Sequence, residues 1–78
     1  MSAPMKPETP LEMARRHVAE GEARCVRQAE ILREMIADGH PEAARIAEKL
    51  LATLTDTLDV LREDLRRIEE RAARGPSA

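Results

Sequence analysis

Apolar residues recur along the second half of the chain at alternating intervals of three and four residues. A repeat of this kind keeps one row of side chains facing a neighbouring helix, so it predicts a long helix with a coiled-coil seam. The main seam consists of Ala44, Ala47, Leu51, Leu54, Leu58, Leu61, Leu65, Ile68 and Ala72. We expect this helix to run from about residue 41 to about residue 74, because Gly75 and Pro76 then end it.

The first half of the chain carries a weaker seam of smaller residues. Its members are Leu11, Ala14, Val18, Gly21, Cys25, Gln28, Leu32 and Met35. Thr9, Pro10 and Glu12 have the spacing of a capping box with proline in the first turn, which predicts a helix over about residues 10–38. Gly21 costs roughly 1 kcal/mol relative to alanine in a helix interior. It marks either a close approach of the two helices or a soft point in the first, and we favour the close approach.

A turn at residues 38–41 joins the two predicted helices. Gly39 suits a left-handed helix cap, Pro41 suits the first position of a helix, and His40 is expected to cap the junction. A connection this short places the helices side by side and antiparallel. The predicted fold is therefore all-α, an antiparallel two-helix hairpin over residues 9–74, with flexible tails at residues 1–8 and 75–78.

A second, less polar row runs beside the main seam of the second helix. In a lone hairpin each seam residue is covered from one side only, so it gains about half of the ~1.5–3 kcal/mol that full burial contributes. We therefore predict a homodimer that forms an antiparallel four-helix bundle, with a helical partner protein as the alternative. The threonines of this row either bond back to helical carbonyls or soften the helix for a partner. The predicted interface consists of Ile31, Met35, Ala43, Ile46, Leu50, Thr53, Thr57 and Val60.

Composition excludes several other architectures and partners. The 78-residue chain has no Phe, Tyr or Trp and a single cysteine, so neither an aromatic core nor an internal disulfide is available. Thirteen basic and 15 acidic residues leave a net charge of −2, which gives no strong field for nucleic acid or anionic lipid. The first residues lack the features of a secretory signal and no apolar run is long enough to span a membrane. We therefore expect a cytoplasmic protein that does not bind membranes.

No group of residues has the spacing that catalysis or metal binding requires. His17 is close in sequence to Glu20 and Glu22, but the Glu-x-x-His spacing of a dinuclear carboxylate site is missing. Cys25 lies on the first seam, where packing as a small apolar residue is favoured over a role as a reactive thiol. We therefore expect no enzyme activity, no catalytic residue, no metal and no cofactor.

The last turns of the second helix provide an alternative function. They carry Arg62, Arg66, Arg67 and Arg71, which suit the negative end of the helix dipole and could form a face that binds RNA or DNA. Nearby glutamates and the lack of stacking aromatic residues weaken this interpretation. The leading hypothesis is a non-enzymatic, oligomeric helical interaction module with a regulatory role, and a nucleic-acid-binding hairpin is the alternative.

Three short motifs resemble a known group of proteins. They are HVAEGE at residues 17–22, DGH at 38–40 and LLATL at 50–54. The pattern is similar to that of a group of small bacterial helical-hairpin proteins with no assigned activity, and it spans roughly residues 13–68. The resemblance implies a compact bacterial hairpin and transfers no function. Any function shared with the group would lie at its polar members, His17, Glu20, Gln28, Asp38 and His40.

Overall fold

The chain forms two long helices that run antiparallel and pack along their length. The computed structural model describes residues 6–75, within which α1 spans Pro10–Ala37 and α2 spans Pro41–Arg74. The prediction of an all-α helical hairpin is confirmed. The predicted tails fall largely outside the described residues, which exclude 1–5 and 76–78.

The start of α1 has the capping box that the sequence predicts. The amide of Glu12 donates a hydrogen bond to Thr9 Oγ1 at 3.1 Å, and the amide of Thr9 donates to Glu12 Oε1 at 3.0 Å. Each side chain thus satisfies an amide that the helix leaves without a partner. These bonds lower the pKa of Glu12, the backbone amide of Thr9 being the largest cause and the Thr9 side chain the next.

Residue 8, which the sequence assigns to a flexible tail, is held against α1. Arg16 donates to both carboxylate oxygens of Glu8, at distances from 2.8 to 3.2 Å, and to Glu20 at 2.9 Å. The bond with Glu8 lowers the pKa of that carboxyl and is the main reason that the pKa of Arg16 is raised. Contacts with α1 therefore begin before its first helical residue.

The turn between the helices is a Schellman motif. Gly39 has φ of +72°, its amide donates to Ile36 O at 3.2 Å, and the amide of His40 donates to Met35 O at 2.9 Å. This pair of bonds defines the motif, and a left-handed residue is required between the helix and the chain that leaves it. The glycine predicted for the left-handed cap is confirmed.

His40 occupies the N-cap position of α2, but its side chain makes no capping hydrogen bond. The prediction that this histidine caps the junction is therefore wrong for the imidazole. Its backbone has φ −107° and ψ 77°, whereas Thr9 has the extended values φ −72° and ψ 160° from which a side chain reaches the first amides. At the start of α2, His40 contributes its backbone carbonyl, which accepts from the Ala44 amide at 2.9 Å.

The two predicted seams pack against each other, but few of their side chains are buried away from solvent. The buried apolar residues are Ala14, Ala47 and Leu58, and Gly21 is buried beside them. Among residues 6–75 no large side chain is fully buried, and the other seam leucines are half-buried. The hairpin core is therefore a narrow line of small residues and leucines.

Gly21 lies where α1 approaches α2 closely. A Cβ atom built on Gly21 would stand 3.1 Å from Leu58 Cδ1 and 3.3 Å from Leu61 Cδ1, which is tighter than ordinary van der Waals contact. Of the two interpretations of this glycine, the structure supports the close approach. The leucines of the main seam occupy the space that a larger side chain at residue 21 would need.

Candidate interaction surface

One face of α2 presents an apolar row to solvent. We call this row the α2 stripe, and its residues are Ala43, Ile46, Leu50, Thr53, Thr57 and Val60. Ile46 is 70% exposed, Leu50 is 48% exposed and Val60 is 67% exposed. Ala43 is half-buried, and both threonines are exposed. Large aliphatic side chains at this level of exposure remain in contact with water unless another surface covers them.

The threonines of the stripe satisfy their hydroxyl groups within the helix. Thr53 Oγ1 donates to Lys49 O at 3.2 Å, and Thr57 Oγ1 donates to Thr53 O at 3.0 Å. Thr55, on another face, bonds back in the same way to Leu51 O at 2.8 Å. The prediction that these hydroxyls bond to helical carbonyls is confirmed. Their methyl groups are therefore free to face an apolar partner without the loss of a hydrogen bond.

The surroundings of the stripe change along the hairpin. Near the turn, Ala43 shares a surface depression with Met35 of α1, and both Met35 and Ile31 are half-buried. Farther from the turn, Thr57 lies beside His17, Glu20 and Arg24 of α1. Met35 and Ala43 are thus brought together at the turn-proximal end, whereas Thr57 has polar and charged neighbours from α1.

The opposite face of the hairpin has a different character. Arg62 of α2 pairs there with Glu22 of α1 at 3.2 Å. Val26 follows Glu22 by one helical turn and is exposed, and Ile36 is 64% exposed beside the turn. Ile36 lines a depression at the turn together with Leu32, Met35 and Ala44, whereas the α2 stripe extends along α2 from Ala43 to Val60 and is the longer apolar feature.

Three of the four arginines considered for nucleic-acid binding are in ion pairs. Arg62 contacts Glu22 and also lies 3.8 Å from Asp59. Arg66 and Arg67 both contact Glu63, at 2.5 and 3.6 Å. The hydrogen bond from Arg66 is the largest cause of the lowered pKa of Glu63 and, reciprocally, of the raised pKa of Arg66.

The fourth arginine, Arg71, lies at the open end of the hairpin beside Leu11, Ile68 and Ala72. The structure therefore does not gather the four guanidinium groups into one free basic patch. Nucleic-acid binding stays a prediction.

The groups considered for chemistry are on the surface or in the seam. His17 lies with Arg16, Glu20 and Arg24 along a shallow polar depression that Thr57 and Leu61 border. Cys25 is half-buried on the α1 seam. Within residues 6–75, no three His, Cys, Asp or Glu side chains are grouped so that they could hold a metal ion.

Gln28 has a contact that the sequence alone does not reveal. Its side chain is only 7% exposed, and Nε2 donates a hydrogen bond to Ala47 O of α2 at 3.0 Å. This bond joins the two helices at Ala47, a small residue of the α2 seam. A glutamine at a seam position signals a buried polar contact, but its partner becomes visible only once the register of the helices is known.

Comparison of the chain with protein-family models, with curated proteins and with solved structures finds no match. The resemblance to small bacterial hairpin proteins therefore stays a prediction. Of the residues described, neither α1 nor α2 has a stretch that is both long and apolar enough to cross a membrane.

Proposed function

We propose that this chain is a non-enzymatic helical interaction module with a regulatory role, and that its α2 stripe binds a second copy to form a four-helix bundle. The observation that carries the proposal is the exposure of Ile46, Leu50 and Val60 in one row on α2. A surface of this kind is typical of helices that contact more than one neighbour in a bundle.

The small core of the hairpin also supports self-association. Ala14, Ala47 and Leu58 are the only apolar residues that are buried within residues 6–75. Small domains of this size rarely gain enough stability from a single thin core, and oligomerisation is one of the usual remedies. Because the chain has one cysteine, no internal disulfide can supply the missing stability.

The test compares one substitution on the stripe with a matched substitution on the opposite face. Ile46 and Ile36 are similarly exposed, at 70% and 64%, so glutamate at either position replaces an apolar side chain that is mostly in water in the single hairpin. In sedimentation equilibrium at micromolar concentration, we expect the wild-type chain and Ile36→Glu to have about twice the 8.7 kDa chain mass. Ile46→Glu should sediment at the mass of a single chain, and with less helix at the same concentration, because the charge would be buried at the interface and the lone hairpin has only a thin core.

Two results would overturn the proposal. A folded wild-type monomer would show that the hairpin does not bind itself. Equal loss of the dimer in Ile46→Glu and Ile36→Glu would show that the stripe is not the contact surface. Circular dichroism measures how much helix each variant retains, and Ile36→Glu should match the wild-type chain.

A further inference from the structure

The side chains of the α2 stripe have sizes that are complementary to those of a second, antiparallel copy of the stripe. Its first half contains the large residues Ile46 and Leu50, whereas its second half contains Thr53 and Thr57. If a second stripe is laid antiparallel about a point between Leu50 and Thr53, Leu50 faces Thr53 and Ile46 faces Thr57. At the ends, Val60 faces Ala43. Each layer then combines a larger with a smaller side chain, which is how facing helices fill space without gaps or clashes.

A parallel arrangement lacks this complementarity. It would place Ile46 against Ile46 and Thr53 against Thr53, so that large meets large and small meets small. Beyond Val60 the same row continues with Asp64 and Arg67, which would each meet an identical charge. Like charges that face each other across a helix interface are unfavourable. The antiparallel arrangement avoids this conflict because it overlaps only the apolar part of the row.

The charges along the outer edge of the stripe fit the same arrangement. Lys49 precedes Leu50, and Asp56 precedes Thr57, so the two charges lie on one edge and two helical turns apart. Both are exposed, and in residues 6–75 neither takes part in an ion pair. In the antiparallel arrangement, Lys49 of each copy lies beside Asp56 of the other. The symmetry of the dimer forms this ion pair twice.

The charged residues at the two ends of the overlap are also compatible with the antiparallel arrangement. Asp64 comes level with Gly39 of the second copy, next to the start of α2, where the helix dipole favours a carboxylate. Glu42 comes near Glu63 of the second copy, which is unfavourable by itself. However, Glu63 already pairs with Arg66 and Arg67, so its charge is compensated.

We propose that the second copy lies antiparallel on the α2 stripe, crossing between Leu50 and Thr53, with Lys49 of each copy paired to Asp56 of the other. This inference rests on the proposed function, because it specifies the geometry of the same self-association. The positions of Lys49 and Asp56 favour a second copy as the occupant of the stripe, because an apolar partner of another kind would not need these two charges.

The test is a charge swap measured by sedimentation at low ionic strength. Lys49→Glu alone and Asp56→Lys alone each turn two attractive contacts into repulsive ones, so each should weaken self-association about tenfold. The double variant Lys49→Glu with Asp56→Lys restores both pairs in reverse and should bind nearly as well as wild type. High salt should reduce these differences.

Mixing the two single variants gives a second, independent readout. In a heterodimer of Lys49→Glu with Asp56→Lys, the introduced glutamate of one chain faces the introduced lysine of the other. At the other of the two symmetry-related contacts, the native Lys49 faces the native Asp56. The mixture should therefore associate more tightly than either variant alone. An effect within one chain cannot produce this rescue, because each chain in the mixture still carries its own unfavourable change.

Arg33→Glu and Glu48→Lys are the controls, since both are exposed and lie on the side of their helix away from the stripe. They should leave the affinity unchanged. Single reversals that bind like wild type, or a double variant and a mixture as weak as the singles, would overturn the antiparallel geometry while leaving a wild-type dimer. A monomeric wild-type chain would instead overturn the proposed function itself, so the two failures are distinguishable.

Discussion

Single residues set how closely the two helices approach. Gly21 leaves room for the methyl groups of Leu58 and Leu61, and Gln28 ties α1 to the carbonyl of Ala47. The first of these could be anticipated from the sequence, because a glycine inside a helical seam is costly unless it serves packing. The second could not, because a hydrogen bond to a backbone carbonyl leaves no signal in the residue type of its partner.

Substitutions at Gly21 test the close approach. Gly21→Ala should change the free energy of unfolding by less than about 1 kcal/mol, because the gain in helix propensity offsets a close contact with the methyl ends of two leucine side chains. Gly21→Val should destabilise by about 1–3 kcal/mol, because its extra methyl groups overpack the seam. Urea denaturation at constant protein concentration measures both, as a shift of the midpoint at unchanged slope. Equal tolerance of alanine and valine would contradict the packing.

Residue properties did not determine the role of every polar group. The position of His40 at the helix junction predicts a cap for α2, yet the N-cap geometry there is not extended and the imidazole makes no capping bond. Conformation at such a position depends on the preceding Schellman turn, which the residue type does not encode. The spacing of the four arginines of α2 likewise does not reveal that three of them pair with glutamates and an aspartate.

At the scale of elements, the helix ends are the best-predicted features. The capping box at Thr9 and Glu12 and the glycine of the turn are local, so their sequence spacing carries nearly all of the information. The seams are also local patterns, and their packing confirms the hairpin. What the pattern cannot determine is which exposed apolar residues matter, because Ile46 and Ile36 are exposed to a similar degree on different faces.

The start of α1 should respond to pH in a defined direction. The pKa of Glu12 in the folded chain lies below its ordinary value of 4.5. Its contribution to stability is therefore fully present above the ordinary value and is lost as the pH falls through the lowered pKa of the folded state. The lowered pKa values of Glu8 and Glu63 act with the same sign.

Glu12→Gln separates the hydrogen bond from the charge. Glutamine still accepts from the Thr9 amide, so stability at neutral pH should remain close to wild type, whereas the loss in acid should be smaller. Thr9→Ala should cost about 1 kcal/mol at neutral pH because it removes the cap. Chemical unfolding followed at several pH values measures both effects. An unchanged acid response in Glu12→Gln would contradict the assigned role of this carboxylate.

At the scale of the whole molecule, the two seams and the short turn leave one arrangement for the helices. Their mutual packing nevertheless covers only a thin line, and the α2 stripe stays in water in the single hairpin. The fold class was therefore predictable from periodicity, whereas the assembly depends on complementarity between two surfaces. The proposed antiparallel dimer accounts for the stripe, its threonines and the charges along its edge together.

The dependence of unfolding on protein concentration tests the central claim most directly. If a second copy covers the stripe in the folded state, mass action requires the thermal midpoint to rise with concentration. Circular dichroism of the wild-type chain over a wide concentration range should show this rise, with the helices lost in one cooperative transition. A sharp transition of a fully helical chain at a midpoint that does not change with concentration would contradict the account.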